Sequence, residues 1–335
     1  MESFYLETKE GLYFAVKGLV HSPERIFSVL RYAPDPDGDR KKGNRTYRRF
    51  YHFPEQLGKL EQCYPQYLAY DPASGLVQQS VPHSSIQRIY DPRLWLQEIS
   101  KTPHRDPLQD DALEFCDLLA KEAGVSREHL GVSGSLLIDM HTPRSDLDLT
   151  VHGERNCRLV HQALQRLLDS GSVPGLSRFD QQGFLGLYQE RVKDTRMDFD
   201  EFITLESRKS FQGLFRGRTF FVRFIKEPSE LDESYGDLLY EPLHPVAVVA
   251  TVTGAADAIF TPCRYPLTAV QFLQGNPVDS LDEIVSYRGR FCEQARPGER
   301  VRVSGTLERV RTHQGRTWHR LILGNRPEDT MTLWR

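Results

Sequence analysis

Residues 131–153 read GVSGSLLIDMHTPRSDLDLTVHG, and this stretch decides how the chain is read. Gly134-Ser135 is a small turn between apolar runs. Ten residues (136–145) separate it from Asp146-Leu147-Asp148-Leu149-Thr150-Val151. Alternation across that second run predicts a strand with both carboxylates on one face and Leu147 and Leu149 on the other. Two carboxylates so placed lie roughly 7 Å apart along the strand and repel one another unless a cation lies between them. Hard oxygen ligands suit Mg²⁺ or Mn²⁺, which leave coordination positions to water and substrate phosphates. A Gly-Ser turn upstream can bring backbone N–H groups and a hydroxyl to a phosphate. These are the parts of a phosphoryl or nucleotidyl transfer site.

The apolar residue, Gly134-Ser135, the spacer and Ser145-Asp146-Leu147-Asp148-Leu149 together resemble the DNA polymerase β-type nucleotidyltransferase superfamily, especially its stand-alone members. The resemblance covers about residues 110–225. It implies an α+β fold, with a mixed-sheet nucleotidyltransferase core and helices against it. It implies a nucleoside triphosphate substrate such as ATP, two Mg²⁺ (or Mn²⁺) ions held by Asp146, Asp148 and a third carboxylate, and an acceptor hydroxyl. Gly134, Ser135 and Ser145 are the phosphate-side candidates. Lys209 and Arg218 are candidate cations for the triphosphate. Thr195-Arg-Met-Asp-Phe-Asp-Glu-Phe-Ile203 alternates like a strand, and Asp198 is the expected third ligand, with Asp200 as the alternative.

Composition bounds the rest. At 335 residues the chain has length for two or three domains. Net charge is −3, so no global argument for nucleic acid exists, but the charge is uneven. Residues 1–105 carry 15 Lys+Arg against 12 Asp+Glu, residues 241–335 carry 12 against 10, and the middle carries 16 against 24. An acidic centre between mildly basic flanks suits cation collection, and equally a plain acidic surface. Five cysteines are scattered with no C-x-x-C, which argues against a zinc site and a disulfide framework. No signal peptide or long apolar run is read, so the expected location is cytoplasmic, with no membrane partner.

Three domains are expected. Residues 1–105 read as a β-rich module: residues 11–20 and Arg25–Tyr32 are apolar and β-branched, and Arg45–Tyr51 is a third strand. Arg40, Lys41, Lys42, Arg45, Arg48 and Arg49 interleave there with Tyr47, Phe50 and Tyr51. That suits single-stranded nucleic acid, or a solvated hairpin with inward aromatics. The catalytic core is expected at 106–230, with amphipathic helices at Pro107–Gly124 and Glu154–Ser170. Arg218 and Arg223 sit on a strand able to run beside the carboxylate strand. Residues 227–241 read as a linker.

Residues 242–335 read as strands with Gly-containing turns, a small OB-like barrel. Its arginines (Arg288, Arg290, Arg302, Arg309, Arg311, Arg320), with Tyr287, Phe291 and Trp318, form a candidate nucleic-acid surface. The chain lacks G-x-x-x-x-G-K-[ST], G-x-S-x-G and H-E-x-x-H, which excludes P-loop, hydrolase-elbow and zincin chemistry. His141 and His152 flank the carboxylates and are read as solvent-exposed bystanders. The expected activity is transfer of NMP to an acceptor, RNA or DNA 3′ ends first. AMP or NMP transfer to a protein or small molecule is the alternative, and a catalytically inactive nucleic-acid-binding protein, RNA-binding included, the third.

Overall fold

A computed structural model describes residues 1–334 as a mixed α/β protein. Two compact units emerge. The first takes residues 1–70, 77–178 and 210–232; the second takes 71–76, 179–209 and the chain from 233 onward. The boundary read at residue 105 thus falls inside the first unit.

The first unit begins with an antiparallel sheet of β1 (Tyr5–Thr8), β2 (Tyr13–Val16), β3 (Arg25–Pro34), β4 (Arg40–Lys42), β5 (Arg45–Arg49), β6 (Leu68–Asp71), β7 (Leu76–Pro82) and β8 (Ile86–Tyr90). Its main path runs β4-β5-β3-β2-β1-β8, with β7 on β3. Period-2 alternation gives it two apolar faces. Leu6, Phe14 and Leu30 pack with Leu60 of helix α1 (Phe53–Cys63) on one side. On the other, Tyr5, Tyr13, Tyr32 and Tyr47 pack on Leu137, Ile138 and Met140, the residues just after the Gly-Ser turn. The sheet is therefore a wall over the motif. One irregularity matters later: Phe14 pairs with Leu30 but Tyr13 pairs with Tyr32, so Arg31 is the extra residue of a bulge.

The rest of this unit is a five-stranded mixed sheet with helices. Helix α2 (Pro92–Ile99) comes first, then α3 (Pro107–Ala123). Asp106 and Gln109 form a capping box at the start of α3, and Gly124, at φ +64°, ends it in the left-handed conformation. There follow β9 (Leu130–Val132), α4 (Gly134–Leu137), β10 (Leu147–His152), α5 (Glu154–Ser170), β11 (Leu176–Ser177), β12 (Gln212–Phe215) and β13 (Arg218–Ile225).

Strand order is β11-β12-β13-β10-β9, and only the central β10–β13 pairing is parallel. Leu147, Leu149 and Val151 register with Phe220, Val222 and Phe224, all buried, on the face covered by α3 and α5. Phe115 of α3 stacks on Phe215 at 4.5 Å and meets Phe220 edge-on at 4.8 Å. Each such ring contributes roughly 1.5–3 kcal/mol by burial. The opposite face of β10 carries Asp148, Thr150 and His152, in register with Phe221, Arg223 and Ile225.

The second unit holds α6 (Gln181–Arg191), α7 (Phe199–Glu206) and six strands: β14 (Leu238–Val252), β15 (Cys263–Gln274), β16 (Glu283–Ser286), β17 (Arg300–Thr312), β18 (Thr317–Leu323) and β19 (Thr330–Leu333). Pairing runs β14-β15-β16-β18-β17, and β17 pairs back with β14, closing a five-stranded barrel with β19 added on β17. Closure leaves the five strands no free edge. Val248, Val303, Leu307 and Leu321 are among its buried residues.

Two readings need correction. Residues 195–203 are not a strand: Phe199–Glu206 is a helix with Asp198 as its N-cap. The linker read at 227–241 already enters β14 at Leu238. Among the described residues no helix is long and apolar enough to cross a membrane.

Candidate active site

The motif assembles around one close approach. Gly134 opens α4 at φ +64°, and a Cβ built there would stand 2.1 Å from Asp148 Oδ2. Only glycine admits both that backbone and that carboxylate. The Ser133 amide donates to the Asp148 carbonyl at 2.8 Å, and the Ser133 hydroxyl to the Ser3 carbonyl at 2.7 Å, so β1's leading residues are tied to the motif. Ser135 is buried beside it, its carbonyl accepting from the Met140 amide at 2.9 Å.

Asp146 immediately precedes β10 and shares the electrostatic field of Asp148. Its carboxyl is pushed up to about 6, first by withdrawal from bulk water, then by the negative charge of Asp148, with the Arg49 cation opposing. The residue keeps an open side, and solvent there tempers the rise. A carboxyl raised in this way beside a second carboxylate fits a hydrated divalent ion that fills its other positions with water and phosphate oxygens. A three-carboxylate centre is not formed: among the described residues no group of three or more His, Cys, Asp or Glu could hold a metal.

The absent third ligand has a plain cause. β13, the strand beside β10, presents Phe221 opposite Asp148 and Arg223 opposite Thr150, and no carboxylate. Asp198 lies in the second unit, its side chain accepting from the Asp200 amide at 2.9 Å as a helix cap. Asp200 is in the first turn of that helix. The sequence carried a signal for this: Asp198 followed by Glu201 is a helix-start pattern.

Other candidates find different roles. Ser145 is buried and accepts from the Thr142 amide at 2.9 Å, closing the turn before Asp146. Arg218 donates to Asp111 Oδ2 at 2.7 Å and to the Pro143 carbonyl at 2.6 Å, tying α3 to the same turn. Lys209 is fully buried in the second unit, paired with Glu206 at 2.6 Å and donating to the Arg290 carbonyl. Burial lowers its pKa against the opposing charge of Glu206. It is an internal ion-pair residue. His152 is buried rather than exposed, its Nε2 3.1 Å from Thr150 Oγ1; His141 is half-buried with Nε2 2.7 Å from Asp106.

The arginine surface read on the barrel does not assemble as one patch. Arg320 is buried against Glu308 at 2.8 Å, Phe291 is buried, and Arg290 pairs with Asp194 at 3.1 Å; Arg302 and Arg311 remain exposed. In the basic N-terminal stretch, Tyr47 and Phe50 face inward and Tyr51 is 41% exposed. Lys42 donates to the Tyr90 hydroxyl at 2.8 Å and lies over the Tyr13 and Tyr90 rings.

Cations from the N-terminal sheet line the site, and local pattern gave no hint of Arg31. A cavity of about 140 Å³ is bounded by Gly134, Asp148, Tyr5, Lys17, Arg31 and Arg223. Tyr5 is held between charges: burial pushes its phenol up, Arg31 hydrogen-bonds it and lowers it, and Asp148 raises it. A second cleft of about 450 Å³ is bounded by Arg40, Arg48, Arg49 and Tyr51, with Asp35, Asp37 and Asp39 also lining it.

Comparison with known proteins adds little chemistry. No family model matches the chain, and no solved structure matches it. A protein of Methanocaldococcus jannaschii, itself described as uncharacterized, is 26% identical over 333 residues, covering 97% of this chain and 95% of that one. The chain is thus similar to an archaeal protein along nearly its whole length.

Proposed function

We propose that the first unit is a divalent-metal-dependent nucleotidyltransferase that moves NMP from a nucleoside triphosphate to an acceptor hydroxyl. The observation that carries the reading is Gly134 pressed against the Asp148 carboxylate, with Asp146 adjoining. Asp146 and Asp148 would hold Mg²⁺ or Mn²⁺, which when bound neutralises phosphate charge and activates an oxygen nucleophile. The chain's own residues do the rest. The α4 turn offers backbone N–H groups to phosphate oxygens. Ser145 and Arg218 fix the turn that sets Asp146. Acceptor oxygen bonds to the α-phosphorus in line, the bond to the β-phosphate oxygen breaks, pyrophosphate leaves, and the hydroxyl proton passes to water.

A nucleic-acid 3′ end is the preferred acceptor. The closed barrel supports it, since its third and fifth strands pair in parallel, as in OB-like barrels that often bind single strands. Incubation with labelled NTPs and Mg²⁺ or Mn²⁺, with and without RNA, tests the reading. Label on an oligonucleotide is the expected result. Label on protein would shift the acceptor to a polypeptide, and salt-sensitive RNA binding without transfer would leave a binding protein. The variants D146N and D148N should lose turnover by at least about a hundredfold while remaining folded. Wild-type transfer by either would refute the site.

A further inference from the structure

Several positive side chains from the N-terminal sheet and β13 gather near the polar face of β10, and two of them are already spent. Glu2, fully buried, lies 3.4 Å from Arg223 Nη1 and 3.7 Å from Lys17 Nζ, and accepts from the Gly18 amide on its other oxygen. Those cations answer a buried carboxylate. Arg31 and Arg49 do not: among the described residues neither forms an ion pair. Both lie over one ring, Arg49 Cζ 3.5 Å and Arg31 Cζ 5.1 Å from the Tyr51 centroid. Two guanidiniums gathered on a single ring repel each other unless an anion joins them.

Geometry directs Arg31 at the candidate site and sets Arg49 beside it on the Tyr51 ring. Arg31 is the extra residue between the Phe14–Leu30 and Tyr13–Tyr32 pairs, two along from Val29, which packs on the side of the sheet that covers the motif. It lines the 140 Å³ cavity with Gly134 and Asp148. Arg49 lines the 450 Å³ cleft and shares the Tyr51 ring with Arg31.

We propose that Arg31 and Arg49, seated on Tyr51, form a clamp for a linear polyphosphate, the β- and γ-phosphates of the nucleoside triphosphate. The identity of the substrate rests on the nucleotidyl-transfer reading; the clamp is visible without any transfer. Planar guanidiniums match phosphate oxygens two at a time. Asp35, Asp37 and Asp39 line the same cleft as Arg49, a negative charge that the clamp's two guanidiniums oppose. As the α–β bond breaks, its electron pair and the growing charge pass to the departing pyrophosphate oxygens, within reach of the clamp.

Calorimetric titration of the full chain with inorganic tripolyphosphate, in EDTA, isolates the clamp from metal and acceptor. R31Q and R49Q should each weaken binding tenfold or more. R31K and R49K should recover part of the loss, because they restore charge but not the fork. D148N should bind tripolyphosphate at least as tightly as wild type, since a negative charge is gone. Melting curves accompany each variant, and R49Q, near the sheet edge, carries the test if R31Q does not fold.

Unchanged tripolyphosphate binding in a folded R31Q and R49Q overturns the inference. So does a loss confined to oligonucleotide binding, which would assign the arginines to a polynucleotide backbone. If no transfer is ever detected but the arginine variants lose tripolyphosphate, the clamp stands and the transferase reading falls. If transfer occurs and the arginines are indifferent to tripolyphosphate, the reverse holds.

Discussion

Gly134 is the residue on which the site's geometry depends. Its positive φ and the 2.1 Å that a Cβ would leave to Asp148 Oδ2 make alanine doubly unwelcome. G134A should cost about 1–3 kcal/mol in denaturant unfolding and lower nucleotide transfer more than tenfold. A G134A protein with wild-type turnover would contradict the packing described. His152 makes a second residue-scale prediction. Burial lowers its imidazole to about 3, with the positive charges of Arg93, the N-terminus and His129 adding. An unfolded imidazole titrates near 6.5, so between those values the unfolded chain binds more protons. The contribution is complete above about pH 6.5 and is lost as pH falls toward 3, on the order of a few kcal/mol. Urea unfolding from pH 7 to 4 should show falling stability, and H152N should flatten that slope.

At the scale of elements, the turn before β10 is set from a distance. Arg218 begins β13, holds Asp111 of α3, and reaches the Pro143 carbonyl. Sequence reading made Arg218 a phosphate ligand; its bonds make it a brace. R218Q should lower turnover severalfold with about 1 kcal/mol of stability lost, and D111N in the same background should add little. Additive losses in that double-mutant cycle would mean the two act separately. α5 shows the contrasting case, an element legible from pattern: Val160, Ala163, Leu164, Leu167 and Leu168 line its buried face, and it runs from Glu154 to Ser170 as read. Residues 195–203 misled because Met197, Phe199 and Ile203 alternate, while Phe199, Phe202 and Leu205 also fit helical spacing. The acidic first turn and the Asp198 cap decide for the helix.

At the scale of the molecule, charge is buried in the second unit as well as beside the candidate site. In the second unit Glu206 bridges Lys209 and Arg191, with exposures of 5%, 0% and 16%. Removing the shared carboxylate strands a buried ammonium. E206Q should therefore lose about 3–5 kcal/mol in unfolding of the full chain, whereas D146N, which removes a like-charge repulsion, should lose none. An E206Q protein as stable as wild type would mean that Lys209 is accommodated neutral.

The amino-acid order alone determined the parts whose physics is local. Alternation placed Asp148 opposite the leucines, capping and periodicity bounded α3 and α5, and the Val-rich runs with glycine turns described a closed barrel. Tertiary structure decided what local pattern does not encode. It brought Arg31 to the cavity that Asp148 lines, and it set Phe221 and Arg223 where a third carboxylate was anticipated. It also retired Lys209 into an ion pair of another unit. The reason is common to all three: local pattern describes a residue's own element, but only pairing and packing fix what its side chain meets.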